Sequence, residues 1–435
     1  MGDTTRWLLP NGIDELLPEQ AGRVEDCRRL LLNTCSSWGY EYVVPPLVEF
    51  TDSLHVGLGA DLELLSCKFT DHETGKTLAV RADITPQVAR IDAHSMGLQG
   101  VNRLCYAGST LKSVANSIPA DRSPVQLGAE IFGCGGIEAD IEVVDLLLSL
   151  VERSGLSDIT FDIGHVAFCE LVMSHVGLSS EQQNMVLELL ARKANSDLNR
   201  LLTTLSREQA EKISTLATMH GGIEVLERAR AAFVDIEGLD KVIGEVEVVL
   251  ACCQRLQGRV NVYVDMTEAH GYRYHSGVVF ALYAKELGAA VAKGGRYDGV
   301  GEVFGRRRPA TGFAIDLKAW SALAVLEVAD KVLVASPVDA SAQLAAKESE
   351  LRASGVIVIK AIGGEVDDRC TGQLVNRDNE WLVEPVEKQY WVVTSSCTAH
   401  NGAMRARVRS STCYLSKPKR LSDFRVATMR DTRSS

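Results

Sequence analysis

Gly-Gly-Arg-Tyr-Asp occupies residues 294–298 of this 435-residue chain, and Pro-Ala-Thr-Gly-Phe-Ala follows at residues 309–314. The two motifs do not form a dinucleotide-binding fingerprint, because the glycine spacing is wrong and no strand leads directly into a helix. Three consecutive arginines at 306–308 are either an anion site or a solvated turn, and a solvated turn is the simpler interpretation of Arg307. Motifs in this combination are uncommon, so they restrict the fold more than composition does.

A second polar stretch, Val-Arg-Ala-Asp-Ile-Thr-Pro-Gln, lies at residues 80–87. Arg81, Asp83 and Thr85 alternate along an extended segment, so they are expected to share one face of a sheet. A carboxylate beside a hydroxyl suits an ammonium group, because the carboxylate supplies charge-assisted acceptors. The structural alternative is that Asp83 or Thr85 caps a helix that begins near Pro86. Taken alone, the stretch favours a helix cap over an ammonium-binding site.

Three alternating residues, Gln126, Gly128 and Glu130, lie on a predicted strand, so a carboxamide and a carboxylate point into the same space. Gly128 removes side-chain bulk and lets a ligand approach the backbone. Two polar side chains on the interior face of a sheet are costly unless something polar binds there. The pattern therefore favours a binding site over a solvated sheet face.

The loop at residues 267–277 holds two histidines, two tyrosines and an arginine. Such a ring-lined loop can close over a small planar ligand. His270 and His275 are five residues apart and have no third ligand near them in sequence, so no metal is expected. The eleven cysteines show no Cys-x-x-Cys spacing, which predicts reduced thiols rather than zinc or redox chemistry.

Composition excludes several classes of protein. Hydrophobic residues make up 46% and charged residues 24%, as in ordinary globular proteins. A formal net charge of −11 argues against a main role in binding tRNA or DNA. The N-terminus has no apolar signal core, and no apolar stretch approaches the ~20 residues of a membrane span. The chain is therefore expected to be cytoplasmic and to bind neither tRNA nor membrane.

Residue patterns divide the chain into three parts. Residues 1–325 alternate helices and strands, with a proline-free helical insertion at about 168–258. A small α/β unit is expected over 330–387, and 388–435, with ten Lys or Arg against two Asp, is expected to be a disordered basic tail. The predicted strands of the first part are 40–44, 78–81, 103–108, 125–132, 158–163, 261–266, 277–283 and 310–315, and its clearest helices are 19–38 and 137–153.

In order and spacing, the motifs resemble histidyl-tRNA synthetase, a class II aminoacyl-tRNA synthetase, along roughly residues 8–318. The segment 9–18 and the helix-strand-proline unit up to Glu49 resemble that family's dimerisation motif. The resemblance implies an α+β fold with a class II synthetase-like antiparallel sheet flanked by helices, a helical insertion and a small C-terminal α/β unit. It also implies a homodimer formed through the core.

Departures from the synthetase pattern fall where the synthetase binds ATP. Leu111–Val114 replaces a phenylalanine, an arginine that grips the α-phosphate and a glutamate near adenine, and Pro124 replaces the aromatic that stacks on adenine. Ala319 replaces a second ATP-binding arginine, and His270 and Arg273 replace a catalytic arginine and an aspartate. Adenylation needs fixed positive charge on the phosphoryl centre. The resemblance therefore implies a chain without adenylation chemistry or catalytic residues.

The amino-acid side of the synthetase pocket is retained, with His275 in place of a tyrosine. This pattern is similar, almost end to end, to the regulatory subunits of ATP phosphoribosyltransferase, whose own motifs look like residues 271–280 and 304–313. The resemblance implies a chain that binds a separate short-form catalytic subunit, is needed for that subunit's full activity in histidine biosynthesis and confers feedback inhibition by L-histidine, without a cofactor. The resemblance assigns histidine binding to Asp83, Ile84, Thr85, Lys112, Gln126, Glu130, Tyr274 and His275.

Three other functions remain as alternatives. A divergent histidyl-tRNA synthetase would need phosphate contacts from Lys112, Arg122 or Arg306 and a tRNA-binding domain, for which the unit after residue 330 is too short. A paralogue that aminoacylates another protein would still need the missing arginines. The phosphoribosyltransferase itself would need a pyrophosphate-cradling loop, which the sequence does not show.

Overall fold

The computed structural model describes residues 7–54, 64–114, 121–267, 275–326 and 331–386. The chain divides into two compact units, Met1–Val328 and Ala329–Ser435. The predicted basic tail at 388–435 and the predicted site residue Tyr274 lie outside the described residues.

A mixed sheet of nine described strands forms the centre of the first unit, in the order β1-β5-β6-β12-β11-β10-β7-β9-β8, and β2, β4 and β3 form a smaller sheet. The strands are β1 (Glu41–Tyr42), β2 (Val48–Phe50), β3 (Cys67–Thr70), β4 (Thr77–Val80), β5 (Asn102–Ser109), β6 (Val125–Phe132), β7 (Ile159–His165), β8 (His220–Gly221), β9 (Val260–Asp265), β10 (Val278–Ala284), β11 (Ala289–Arg296) and β12 (Ala310–Asp316). Neighbours from β5 to β7 are antiparallel, whereas β1 pairs with β5 and β9 with β7 in parallel. The antiparallel sheet implied by the resemblance is therefore present in the six strands from β5 to β7, and the parallel pairs β1–β5 and β7–β9 extend it at its two ends.

Helices flank this sheet, and those between β7 and β9 occupy the predicted insertion. The described helices of the first unit are Pro18–Ser37, Thr51–Leu54, Thr85–Arg90, Ile137–Arg153, Val166–His175, Ser180–Ala191, Asn195–Leu202, Arg207–Leu216, Glu224–Ala232, Leu239–Leu250 and Leu317–Leu323. Two insertion helices begin with a capping box, at Ser179 with Gln182 and at Ser206 with Gln209. Each box satisfies backbone donors that the first helical turn leaves open, so these starts are encoded locally.

Strand β6 separates the core from the ligand-accessible face. Leu127, Ala129 and Ile131 are buried in the main hydrophobic core, which includes much of the helix Ile137–Arg153. Because side chains alternate along a strand, Gln126 and Glu130 point to the opposite face. The apolar set holds β6 in register on the helix, and this register directs the polar set away from the core.

Sequence periodicity located eight of the twelve described strands of the first unit within one or two residues, and it missed the short strands β2, β3 and β8 and the long strand β11. Residues 289–296 read Ala-Ala-Val-Ala-Lys-Gly-Gly-Arg, a composition with little intrinsic strand preference. Pairing with β10 on one side and β12 on the other holds the segment in the sheet. The predicted strand at 40–44 is reduced to Glu41–Tyr42, although Val43 still donates its N–H to the Cys105 carbonyl at 2.9 Å.

The second unit has its own four-stranded sheet, ordered β14-β13-β15-β16. Its elements are β13 (Leu333–Ser336), the helix Ala342–Ala353, β14 (Ile357–Lys360), β15 (Gly372–Arg377) and β16 (Glu380–Pro385). β13 is parallel to both β14 and β15, and β16 is antiparallel to β15. A compact core of Val334, Leu344, Leu374 and Trp381 joins the helix to the sheet.

Candidate functional site

A cleft of about 700 Å³ opens over β6, β11 and β12. The structure brings together six of the eight predicted site residues in its lining: Asp83, Thr85, Lys112, Gln126, Glu130 and His275. Ile84 is buried beside the cleft and contributes its backbone N–H, which donates to Gln126 Oε1 at 3.0 Å. These residues come from four separate segments of the chain, so only the folded sheet places them around one volume.

Glu130 lies at the base of the cleft and is 1% exposed. The Thr85 hydroxyl lies 3.0 Å and the Tyr106 hydroxyl 3.2 Å from its Oε1, and the Tyr297 hydroxyl donates to its Oε2 at 2.5 Å. Burial raises the pKa of Glu130 to about 8, and the hydrogen bonds from Tyr297 and Thr85 only partly offset this. The base of the cleft is therefore a carboxyl that can hold or release a proton near neutral pH.

Two glycines make room for this arrangement. A Cβ atom at Gly312, on β12, would lie 1.6 Å from Glu130 Oε2. A Cβ atom at Gly128 would lie 2.3 Å from the Tyr106 hydroxyl. Gly128 therefore admits Tyr106 rather than a ligand, which corrects the role expected from the sequence.

Asp83 and Thr85 lie where β4 gives way to the helix Thr85–Arg90. Asp83 Oδ1 accepts the backbone N–H of Thr85 at 3.2 Å, but Ile84 is the N-cap residue and no side chain caps the helix, so the capping role expected as an alternative is wrong. Asp83 is nevertheless only half-buried and lines the cleft, and the Thr85 hydroxyl is directed to Glu130. This segment therefore contributes side chains to the cleft rather than a cap to the helix.

Arg81 does not share a face with Asp83 and Thr85, so that prediction is wrong. Strand β4 ends at Val80, and the chain turns before the helix begins. The buried Arg81 guanidinium donates to the carbonyls of Ser109 at 2.9 Å and Pro45 at 2.8 Å. It holds neighbouring segments together behind the cleft.

The arginine of Gly-Gly-Arg-Tyr-Asp has a structural role. Arg296 forms a buried ion pair with Asp140 at 2.6 Å and donates to the Gly136 carbonyl at 2.8 Å, which ties the end of β11 to the start of the helix Ile137–Arg153. The next residue, Tyr297, is thereby held where its hydroxyl reaches Glu130. The motif thus consists of a structural residue, Arg296, which anchors the end of β11, followed by Tyr297, which contacts the candidate site.

The triple arginine is not a combined anion site. Arg308 is buried and paired with Asp92 at 2.5 Å, and it also donates to the Gly100 carbonyl. Arg307 is exposed and pairs with Glu302 at 3.0 Å, as a solvated turn would allow.

At the far end of the cleft, beyond Gln126, the lining contains Lys112, Asp121, Pro124 and Asp316. Burial raises the pKa of Asp316, which caps the next helix by accepting the backbone N–H groups of Lys318 and Ala319 in its first turn. Within the described part of the chain, the cleft lining contains carboxyls and two lysines but no arginine. The described lining of this end of the cleft therefore lacks the bidentate guanidinium groups that bind phosphates.

Sequence reasoning missed two residues of the site, Tyr106 and Tyr297. Tyr297 could have been suspected, because it follows the arginine of a distinctive motif. Tyr106 reaches the site because it pairs in register with Gly128 across β5 and β6, and no sequence signal reports that register. In the described ranges no cluster of three His, Cys, Asp or Glu could hold a metal ion. None of the described helices is long and apolar enough to cross a membrane.

The strand order, with a polar cleft over its central antiparallel strands, defines a class II aminoacyl-tRNA synthetase-like protein. A family model of histidyl-tRNA synthetase matches residues 12–320. A structure from Bacillus halodurans, described as an ATP phosphoribosyltransferase regulatory subunit/histidyl-tRNA synthetase, superposes with a TM-score of 0.74 at 24% identity, covering 84% of this chain and 96% of that one. Histidyl-tRNA synthetase from Nostoc superposes with a TM-score of 0.67 at 16% identity, covering 85% and 91%. The predicted fold class is confirmed.

Closer relatives identify the family. Proteins named ATP phosphoribosyltransferase regulatory subunit are 42% identical in Saccharophagus degradans, over 89% of this chain and 100% of the relative, and 41% identical in Cellvibrio japonicus, over 88% and 98%. The Cupriavidus necator relative of the same name is 41% identical, over 88% and 100%. The chain belongs to the family of ATP phosphoribosyltransferase regulatory subunits, which confirms the resemblance stated from its motifs.

Proposed function

We propose that this chain is the non-catalytic regulatory subunit of a short-form ATP phosphoribosyltransferase, and that free L-histidine in its cleft brings about feedback inhibition of the complex. One observation carries the proposal: a buried carboxyl, surrounded by three hydroxyls, lies at the base of a cleft whose described lining contains no arginine. Such a cleft suits a small amino acid and does not suit a triphosphate.

Histidine can be oriented in this cleft by groups at two depths. Glu130, at the base, is suited to accept an N–H from the imidazole, because a carboxyl this deeply buried is stabilised by a directed donor. Asp83, half-buried at the rim, is suited to the α-ammonium group, which keeps part of its hydration there. Lys112 supplies a positive charge for the α-carboxylate, and Gln126 and His275 complete the lining.

The same lining supports the proposal that the residues for adenylation are lost. The transition state of phosphoryl transfer needs fixed cations around the phosphorus centre. Lys112 is a single ammonium group and cannot form the bidentate contact that an arginine makes with a phosphate. Arg122, which a divergent synthetase would need for phosphate, donates from its Nε to the Lys112 carbonyl at 3.0 Å. Asp121 and Asp316 add carboxyls at the end of the cleft where a nucleotide would lie.

Assembly with two kinds of partner is part of the proposal. The catalytic phosphoribosyltransferase supplies the chemistry, so this chain acts by binding it. A homodimer through the class II core would cover apolar side chains of the predicted dimerisation segment that are exposed in the single chain, including Leu9 (48%), Leu17 (64%) and Val44 (74%). A cytoplasmic location and the absence of a cofactor remain predictions.

The decisive experiment co-purifies the chain with the short catalytic subunit from the same genome and measures phosphoribosyl transfer with and without histidine. Glu130→Ala should weaken histidine inhibition by about 30-fold or more, because removing a paired buried carboxylate costs on the order of 2–5 kcal/mol. Glu130→Gln keeps the shape in case the alanine variant folds poorly. Glu208→Gln, at an exposed position of the insertion, is the matched control. Unchanged histidine inhibition in both Glu130 variants would contradict the proposed histidine site. Failure of the chain to form a complex with the catalytic subunit would contradict the proposed function.

A further inference from the structure

The outer edge of β9 is largely open. β8 pairs only with Asp265 and Val264 at the end of β9, through His220 and Gly221. Among the described residues, Asn261–Tyr263 has β7 on one side and no strand on the other. Val260 also pairs with β7, and at its outer edge it has only an isolated bridge to Gln257. An open strand edge presents backbone donors and acceptors and so acts as a template for an added strand.

A groove of about 650 Å³ runs beside this open edge, between β9 and the last two insertion helices. We call it the β9 groove. Its inner surface is apolar and includes Leu226, Leu250, Val260 and Val262. At its mouth Ile223 is 63% exposed. An apolar surface beside an open strand edge offers side-chain pockets as well as backbone pairing.

The rim of the β9 groove is acidic. Glu224, Glu227 and Glu247 all line it. Arg230 pairs with Glu227 at 2.8 Å and with Glu247 at 3.0 Å, and also with Asp240 at 2.7 Å, so one arginine is shared among three carboxylates. Because the carboxylates outnumber the arginine that pairs with them, the rim favours a basic ligand.

We propose that the β9 groove binds an extended segment of another protein, in which apolar residues alternate with Lys or Arg, by strand addition to β9. In an extended segment alternate side chains point to opposite sides, so one set enters the apolar groove while the other reaches the acidic rim. A helix would leave the backbone of β9 unpaired, and an acidic segment would meet like charge. The groove lies at the opposite end of the sheet order from β6, so this proposal is independent of the histidine cleft.

The test measures binding of a fluorescein-labelled nine-residue peptide of alternating Val and Lys to the full chain by anisotropy. The first control is the same peptide with alternate backbone amides N-methylated, and the second has Glu in place of Lys. Both controls should bind at least about tenfold more weakly, because one loses strand pairing and the other meets like charge. The double substitution Glu224→Lys, Glu227→Lys should weaken binding of the Val-Lys peptide by about tenfold or more, whereas Glu181→Lys, an exposed position elsewhere on the insertion, should leave it unchanged.

Hydrogen exchange locates the contact. Backbone N–H groups alternate between the two edges of a strand, so the amides of residues 261–263 that point away from β7 should exchange rapidly in the protein alone and slowly once the peptide is added. Equal binding of the N-methylated peptide, or binding unaffected by the double substitution, would mean only general attraction to an acidic protein and would overturn the proposal. Slow exchange of these outward-pointing amides before any peptide is added would show that another part of this chain fills the groove, which also overturns it.

Discussion

The hydroxyl of Tyr297 donates a hydrogen bond to Oε2 of Glu130 at 2.5 Å, although 167 positions separate the two residues in the chain. Tyr297 follows the arginine that anchors β11, and Glu130 lies on β6 at the base of the cleft. The contact therefore joins the most distinctive motif of the sequence to the most deeply buried acid of the candidate site.

Replacing Tyr297 by Phe should weaken histidine binding by about tenfold or more, since its hydroxyl favours the ionised form of Glu130 and a hydrogen bond to a charged group contributes about 1.5–3 kcal/mol. Titration calorimetry of the purified protein with histidine measures this directly. Tyr263→Phe is the control, because its hydroxyl bonds to His220 Nδ1 at 3.0 Å and does not line the cleft. Equal losses of histidine affinity in the two variants would show that Tyr297 makes no specific contribution to the site.

The stability of the ligand-free protein should depend on pH through Glu130. Burial raises the pKa of Glu130 from 4.5 to about 8, so folding favours the protonated carboxyl. This contribution is therefore complete below about pH 4.5 and is lost as the pH rises toward 8. Urea unfolding of the wild type and of Glu130→Gln should show the wild type losing stability relative to the variant between pH 5 and 8 by roughly 1 kcal/mol or more. Parallel pH profiles would contradict the raised pKa.

Histidine-dependent exchange of pyrophosphate into ATP should stay at background. The end of the cleft beyond Gln126 has Lys112 among carboxyls, and Ala319 stands where the synthetase pattern has an arginine. A histidyl-tRNA synthetase assayed in parallel provides the positive control. Exchange clearly above background in this chain would restore the alternative of a divergent synthetase.

Two arginines that are close in sequence should differ sharply in their effect on stability. Arg296→Met leaves Asp140 buried without its partner and should cost about 3–5 kcal/mol in the free energy of unfolding. Arg307→Met removes an exposed pair with Glu302 and should change that energy by less than about 1 kcal/mol. Denaturant unfolding compares them, and similar costs for the two would show that the buried pair is not an anchor.

Several features could be predicted because they depend on neighbours in the chain. The strand Val125–Phe132 and the helix Ile137–Arg153 follow from apolar residues recurring at the strand and helix periods. Asp83, Thr85, Gln126 and Glu130 were assigned to one pocket from the resemblance of the motifs to histidyl-tRNA synthetase, and the structure places all four around one cleft. Similarity to known motifs carries information about remote contacts that periodicity does not.

Other features depended on pairings that no local pattern reports. Arg81 was misassigned because the alternation Arg-Ala-Asp-Ile-Thr looks like a strand, whereas the chain turns after Val80. Strand β11 forms despite its alanine and glycine content because it is paired on both sides.

The sequence by itself determined the apolar alternation of β6, the capped insertion helices and the family to which the chain belongs. Only the tertiary structure decided that Tyr106 and Tyr297 meet at Glu130, that Gly312 admits its carboxylate, and that burial raises its pKa. The reason is physical: side-chain direction repeats over two to four residues and is encoded locally. Strand register and desolvation are instead set by the summed packing of segments far apart in the chain.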